Sequence, residues 1–383
     1  MKALPANPGR RHPVGLLVAI LTLVLTGCEW SDESGLDPAE VRADAAQVLM
    51  LGFRGKTVEE ADQIVQDIQD LGIGGVILFD RDVALKSDRN ISDPLQLKEL
   101  VAGLQDLSGN RLLVAIDQEG GYVNRLKTTY GFFPTHSARY FGQLDQPAVT
   151  FSEAEQTARL LRDLGINLNF APVVDLDINP DSPAIGRWER SYSADPEVVI
   201  RQATAVIDAH AGQGIANAIK HFPGHGSATA DSHQGFVDVT DTWQPAELEP
   251  YRHLIETGKV PVIMSAHVFN AHLDPENPAT LSRPILTGLL RDQLGFNGLI
   301  VSDDMQMGAI TEHYGLETAL ERALAAGVDL LIFANNIEYD PQIAQQAVDL
   351  IEQMVLDGRV PAHRLREAAD RVCYLKSSLG LEC

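Results

Sequence analysis

Within Lys220-His221-Phe222-Pro223-Gly224-His225-Gly226, and the Asp231-Ser232-His233 that follows, the chain gathers an ammonium, three imidazoles and a carboxylate. The cluster begins directly after the apolar run Ile215 to Ile219, so polar chemistry starts where a strand is expected to end. Gly224 and Gly226 permit backbone angles closed to other residues and Pro223 fixes one more, so the chain can reverse sharply and turn neighbouring side chains into one cleft. Asp231 and His233 stand two apart on a predicted loop. That spacing lets the carboxylate accept from one ring nitrogen and leave the other facing a substrate. A carboxylate so placed orients the imidazole and favours its protonated form, which suits general acid and base work near neutral pH. The alternatives are a metal site or solvated loop histidines. Zinc calls for a compact ligand set such as HExxH or paired CxxC, and the sequence has neither. No metal and no organic cofactor are expected.

The segments that must position these residues follow a regular rhythm. Short apolar runs at Val48 to Phe53, Gly75 to Phe79, Leu112 to Asp117, Leu168 to Val173, Ala216 to Lys220, Val262 to Ala266, Leu299 to Ser302 and Leu330 to Phe333 read as strands. Helical periodicity fills the intervals at Val58 to Leu71, Pro94 to Leu107, Ser152 to Leu164, Pro196 to Gly212, Pro245 to Glu256, Pro284 to Leu294 and Glu317 to Ala326. Helices near Pro341 to Leu356 and Ala362 to Leu379 close the chain. Strands separated by single helices pair in parallel, and eight such units predict an α/β fold, a single (β/α)8 TIM-type barrel. The polar groups Asp117-Gln118-Glu119, Asp175-Leu176-Asp177, Lys220-His221, His267 and Asp303-Asp304 each follow a different run, where barrel enzymes carry their chemistry. No glycine-rich phosphate fingerprint follows the first strand, which argues against an open dinucleotide fold.

The ends of the chain suggest a compartment. Lys2, Arg10 and Arg11, then the apolar run Val14 to Leu25, then Leu25-Thr26-Gly27-Cys28, form the pattern of a bacterial lipoprotein signal. Residues 1–27 are thus expected to be cleaved, Cys28 lipidated, residues 28–40 a flexible tether and residues 41–383 the barrel domain. The alternative is an uncleaved anchor, for which the apolar run is short. The protein is expected in the cell envelope, anchored to a membrane through its lipid, on the periplasmic face of the outer membrane in a Gram-negative cell. Cys373 and Cys383 are too few for a disulfide scaffold but can pair there and pin the C-terminus. The net charge is −23, and loss of the three leader cations makes it −26. Such a protein repels nucleic acid, so substrate binding must rest on local groups.

Six segments taken together resemble glycoside hydrolase family 3, most closely its β-N-acetylhexosaminidase branch. They are IDQEGGYVNRL at Ile116, NFAPVVDLD at Asn169, RSYSADP at Arg190, IKHFPGHG at Ile219, DSH at Asp231 and GLIVSDDMQMGAI at Gly298. No one motif carries the resemblance; their number and order do. It implies a monomeric retaining exo-hydrolase that removes terminal N-acetylglucosamine from peptidoglycan fragments or chitooligosaccharides. By the same resemblance Asp303 is the nucleophile, forming a glycosyl-enzyme intermediate, and His233 with Asp231 is the acid and base. Asp304 competes for the first role; neighbouring strand-end residues point in opposite directions, so only one of the two is expected to face the sugar. Both carboxylates could instead cap the following helix.

The resemblance also carries Asp117, Arg125, Arg190, Lys220 and His221 into the pocket for the terminal ring, although a salt-bridged barrel rim would need the same charges. His225 can brace the Gly-Pro turn, Asp175 organise the floor and Met305 pack beneath the sugar. The loop Ser227 to Gly235 is expected to close over bound sugar. Two departures bear on the leaving-group side: Tyr122 stands where the family commonly has Arg, and Arg187-Trp188-Glu189 lengthens the approach to Arg190. Trp188 is expected to be exposed, a candidate platform for a second sugar. Rival readings are an N-acetylglucosaminide phosphorylase or β-glucosidase of the same family, and a non-catalytic glycan-binding lipoprotein.

Overall fold

The computed structural model describes residues 36–232 and 235–383. Cys28 and the leader, and His233, lie outside the described residues. Eight parallel strands form a closed barrel: β1 Leu49–Gly52, β2 Gly75–Leu78, β3 Leu113–Ile116, β4 Leu168–Asn169, β5 Ala216–Phe222, β6 Val262–Ser265, β7 Leu299–Asp304 and β8 Leu330–Phe333. Each pairs with the next in sequence, and β1 closes on β8 with Met50 opposite Ile332.

Parallel strands covered on both faces read as unbroken apolar runs, and only the two-residue alternation decides which side chain faces where. Met50, Ile77, Leu113, Ala115, Ala218, Met264, Val301 and Ile332 fill the barrel interior. Leu49, Leu51, Val76, Leu78, Val114, Ile263, Ile300 and Leu331 meet the surrounding helices. Three of those helices begin at an Asp-Pro pair. At Pro38–Gln47, Pro94–Ser108 and Pro196–Ala211 the preceding aspartate side chain accepts from backbone N–H groups of the first turn, and proline supplies the fixed φ of a first helical residue. The first of these helices takes up Pro38 to Glu40, at the end of the stretch expected to be a tether.

Differences from the expected elements are local. The fourth strand is continuous over two residues only, because Pro172 has no N–H to give the ladder; pairing with β5 resumes where Val173 bridges Lys220 and the Val174 N–H donates to the Lys220 carbonyl. The helix expected from Val58 begins at Asp62, and a short helix at Ala138–Leu144 was not anticipated. At one seam of the barrel the buried Arg89 guanidinium donates to the carbonyls of Phe53, Ala334 and Asn335 and to Asn336 Oδ1, which ties the loops after β1 and β8 together.

The opposite end is plugged by the terminal helix Ala362–Ser378, whose Val372 and Leu375 join the interior cluster with Leu379 and Leu381 against it. Cys373 and Cys383 are paired there, Cα atoms 5.2 Å apart. Lys376 on the same helix is fully buried, its Nζ donating to Gln47 Oε1 at 2.9 Å, and burial beside Arg111 pushes its ammonium down to about 7. In the unfolded chain it titrates near 10.5, so below pH 7 folding must bury a charge, and the penalty is relieved as pH rises from 7 towards 10.5. Lys376→Met is therefore expected to stabilise the protein by about 2 kcal/mol at pH 6 and by progressively less towards pH 10. Thermal melts across that range check it; a gain independent of pH would contradict it.

Candidate active site

A cavity of about 400 Å³ opens at the carboxyl ends of the strands. Its apolar floor comes from interior residues Ile77, Phe170, Met264 and Ile332. Its polar wall comes from Asp117 beyond β3, Lys220 and His221 in β5, Arg125 and Arg190 from loops, and Asp231, Asp303 and Asp304. All five residues expected to bind the terminal ring thus reach one cavity. So do the three described carboxylates offered for catalysis.

The charges on this wall are interlocked. Lys220 Nζ donates to Asp117 Oδ1 and Glu119 Oε1, each at 2.7 Å. Arg190 forks onto Glu119 through Nε and Nη2, both 2.8 Å, donates from Nη1 to the Ala184 carbonyl at 2.9 Å, and from Nη2 to His221 Nε2 at 3.2 Å. Because an arginine can only donate, His221 Nε2 must accept. On the other side of the ring, Nδ1–H donates to Asp175 Oδ2 at 2.7 Å. Arg125 lies 3.5 Å from Asp117 and 3.7 Å from Asp80, and Lys127 also pairs with Asp80.

Burial opposes ionisation of Asp117, but the charges of Lys220 and Arg125 outweigh it and hold the carboxyl below its usual range. Glu119 is likewise held well below its usual range by Arg190 and Lys220, again against burial. These residues form a buried ionic network that lines the cavity. Glu119, named above only as part of the polar group Asp117-Gln118-Glu119, is the member to which the sequence assigned no role. It lies two residues beyond Asp117, so in extended chain the two share a face.

Asp175 accepts the backbone N–H groups of His221 and His225 as well as the His221 ring proton, and so fixes the start of the His-rich loop. His225 is buried, its Nε2 3.2 Å from Ser232 Oγ, and burial pushes it down to about 4, so it is neutral. Beneath the loop Glu247 accepts from the Gly226 and Gln244 N–H groups, and burial pushes its carboxyl up to about 7.

Two expectations about β7 are corrected. Asp303 and Asp304 both line the cavity, and Met305 does not; it packs in the core between barrel and helices. A β-bulge explains both. Val301 pairs with Leu330 but Asp304 with Ile332, so β7 carries one extra residue and the alternation shifts after it. Met264, from β6, contributes to the floor where Met305 was expected. The two aspartates are held differently. Asp304 Oδ1 accepts the N–H groups of Gln306 at 3.1 Å and Ala334 at 2.9 Å, and its carbonyl accepts from His267 Nε2. Asp303 Oδ1 accepts the Asp304 N–H at 2.8 Å. Among the described residues no cluster of three or more His, Cys, Asp or Glu has a geometry that could hold a metal ion.

Residues 40–375 match the model of the glycosyl hydrolase family 3 N-terminal domain. The chain belongs to glycosyl hydrolase family 3. It is a glycoside hydrolase. A β-hexosaminidase of Tolumonas auensis is 38% identical over 295 residues, covering 75% of this chain and 83% of the relative. The structure of a family 3 β-N-acetylglucosaminidase from Paenibacillus sp. superposes with a TM-score of 0.81 at 32% identity, over 90% of this chain and 63% of the other. A β-N-acetylhexosaminidase from Beutenbergia cavernae gives a TM-score of 0.79 at 29% identity, over 90% of this chain and 99% of that one. Within this family 3 fold, Tyr122 and Trp188 stand at the cavity mouth, 62% and 49% exposed.

Proposed function

We propose that this glycoside hydrolase is a retaining, exo-acting β-N-acetylglucosaminidase acting on chitooligosaccharides or peptidoglycan fragments. One observation carries the reading most: the bulge in β7 delivers the Asp303 carboxylate into the same cavity as the Asp117, Glu119, Arg190 and Lys220 network. The hexosaminidase names of its relatives supply the sugar class.

In the first step the Asp303 carboxylate attacks the anomeric carbon as the C1–O bond to the leaving group breaks, and His233, paired with Asp231, gives its proton to the departing oxygen. In the second, His233 takes a proton from water as that water attacks C1, and Asp303 leaves as carboxylate. Two inversions give net retention. Asp304 serves the site differently: its Oδ1 accepts from Gln306 in the turn after β7 and from Ala334 just beyond β8, which ties the two strand ends together beside Asp303. Lys220 and Arg190, pinned by Asp117 and Glu119, meet the ring hydroxyls already oriented, so little ordering is left to the moment of binding.

Proton NMR of a chromogenic N-acetylglucosaminide undergoing turnover tests the reading. Free N-acetylglucosamine should appear first as the β anomer. An initial α anomer, a sugar phosphate formed in phosphate buffer, or no turnover would each contradict it.

A further inference from the structure

Two large aromatic rings exposed beside a charged cavity need a physical account, since such surface costs solvation unless it is used. Tyr122 and Trp188 pack edge to face, ring centroids 5.9 Å apart and planes at 72°. The indole is fixed further by Nε1, which donates to the Pro183 carbonyl at 2.8 Å. Both rings line the cavity mouth, whereas Lys220 and Glu119 lie deep in it, their side chains 2% and 7% exposed.

The backbones under the two rings are locked to each other. Gly121, at φ +59, lies so close to Ser137 that a Cβ there would meet the Ser137 Cβ at 2.6 Å. Ser137 Oγ donates to Glu189 Oε2 at 2.7 Å, directly after Trp188, and the Arg139 N–H donates to the Glu189 carbonyl. Gly186, two residues before Trp188, is pressed against the Pro180 carbonyl, with 2.4 Å from a Cβ to that oxygen. The short 3₁₀ turn Gly186–Trp188 is thereby held from both sides. A mouth whose backbone and indole are held this firmly loses little freedom on binding, which is what a preformed contact surface requires.

We propose that Tyr122 and Trp188 form a leaving-group subsite that stacks on the second pyranose ring of a β-linked N-acetylglucosamine oligosaccharide. A β-linked pyranose of this type presents an apolar face of axial C–H groups, which suits an indole better than hydration does. The terminal ring occupies the deep charged end, so the ring beyond the scissile bond is the one that reaches the mouth. The inference rests on the N-acetylglucosaminidase reading and assigns the side of the substrate which that reading leaves open.

The test compares kcat/KM for di-N-acetylchitobiose with that for methyl β-N-acetylglucosaminide. Both leave as alkyl alcohols, but only the first places a sugar at the mouth. Trp188→Ala is expected to lower the ratio of the two values roughly 3- to 10-fold, Tyr122→Ala to lower it less, and Trp188→Phe to keep most of it. Thermal melts establish that each variant is folded. A ratio unchanged in both alanine variants overturns the platform while leaving the activity reading in place; a wild-type enzyme that cleaves neither glycoside overturns both.

Discussion

Replacing Asp303 by alanine is expected to lower turnover of N-acetylglucosaminides by at least about 10⁴-fold without unfolding the protein. The chemical loss is large because the covalent step loses its nucleophile, and the neighbouring Asp304, though it shares the cavity, has its Oδ1 engaged by two backbone N–H groups. Asp303 lies at a partly exposed position on the cavity wall, and the hydrogen bond it accepts from the Asp304 N–H is worth about 1 kcal/mol. Asp304→Ala should show the reverse balance, leaving the Gln306 and Ala334 N–H groups without their acceptor and lowering the melting temperature. Steady-state kinetics with parallel melts on the two variants separates the roles. An Asp303 variant that keeps a few per cent of activity would contradict the assignment.

His233→Ala is expected to divide substrates by their leaving groups. A natural disaccharide departs as a poorly stabilised alkoxide and depends on proton donation, which is worth about 10²- to 10⁴-fold. A nitrophenyl glycoside departs as a stable phenolate and should lose far less. Asp231→Asn should shift activity the same way by a smaller factor, since the imidazole stays but loses its charged partner. Asp231 reaches the cavity from the segment whose Ser232 meets His225, and the Ser232 carbonyl accepts the Ala309 N–H from the turn after β7. Equal losses on the two substrate types would show that His233 positions the sugar or the loop instead of donating a proton.

Much of the barrel was legible because parallel strands buried on both faces must be apolar throughout, and Leu330–Phe333 stands where its apolar run does. The motifs were legible for a related reason: barrel strands end in polar residues only where the cavity needs them. What escaped has no local signature. The bulge in β7 depends on pairing with β8, and nothing in Ser302-Asp303-Asp304 announces an extra residue. It decides that both aspartates face the cavity and Met305 does not. The role of Glu119 escaped because its partners, Arg190 and Lys220, are remote in sequence. Trp188 was expected to be exposed, yet its contact with Tyr122 required the loops after β3 and β4 to meet through Ser137. The helix Pro38–Gln47 escaped because its charged first turn resembles the polar stretch before it, and only the Asp37-Pro38 pair marks the start.

The covalent step through Asp303 is the centre of the account, and trapping it is the most direct measurement. A fluorinated N-acetylglucosamine donor with a good leaving group forms the glycosyl-enzyme quickly and releases it slowly, so the adduct survives proteolysis and can be located by mass spectrometry. One sugar per chain is expected, carried on the side-chain carboxylate of Asp303. A label on Asp304, or inactivation with no covalent adduct on the chain, would contradict it.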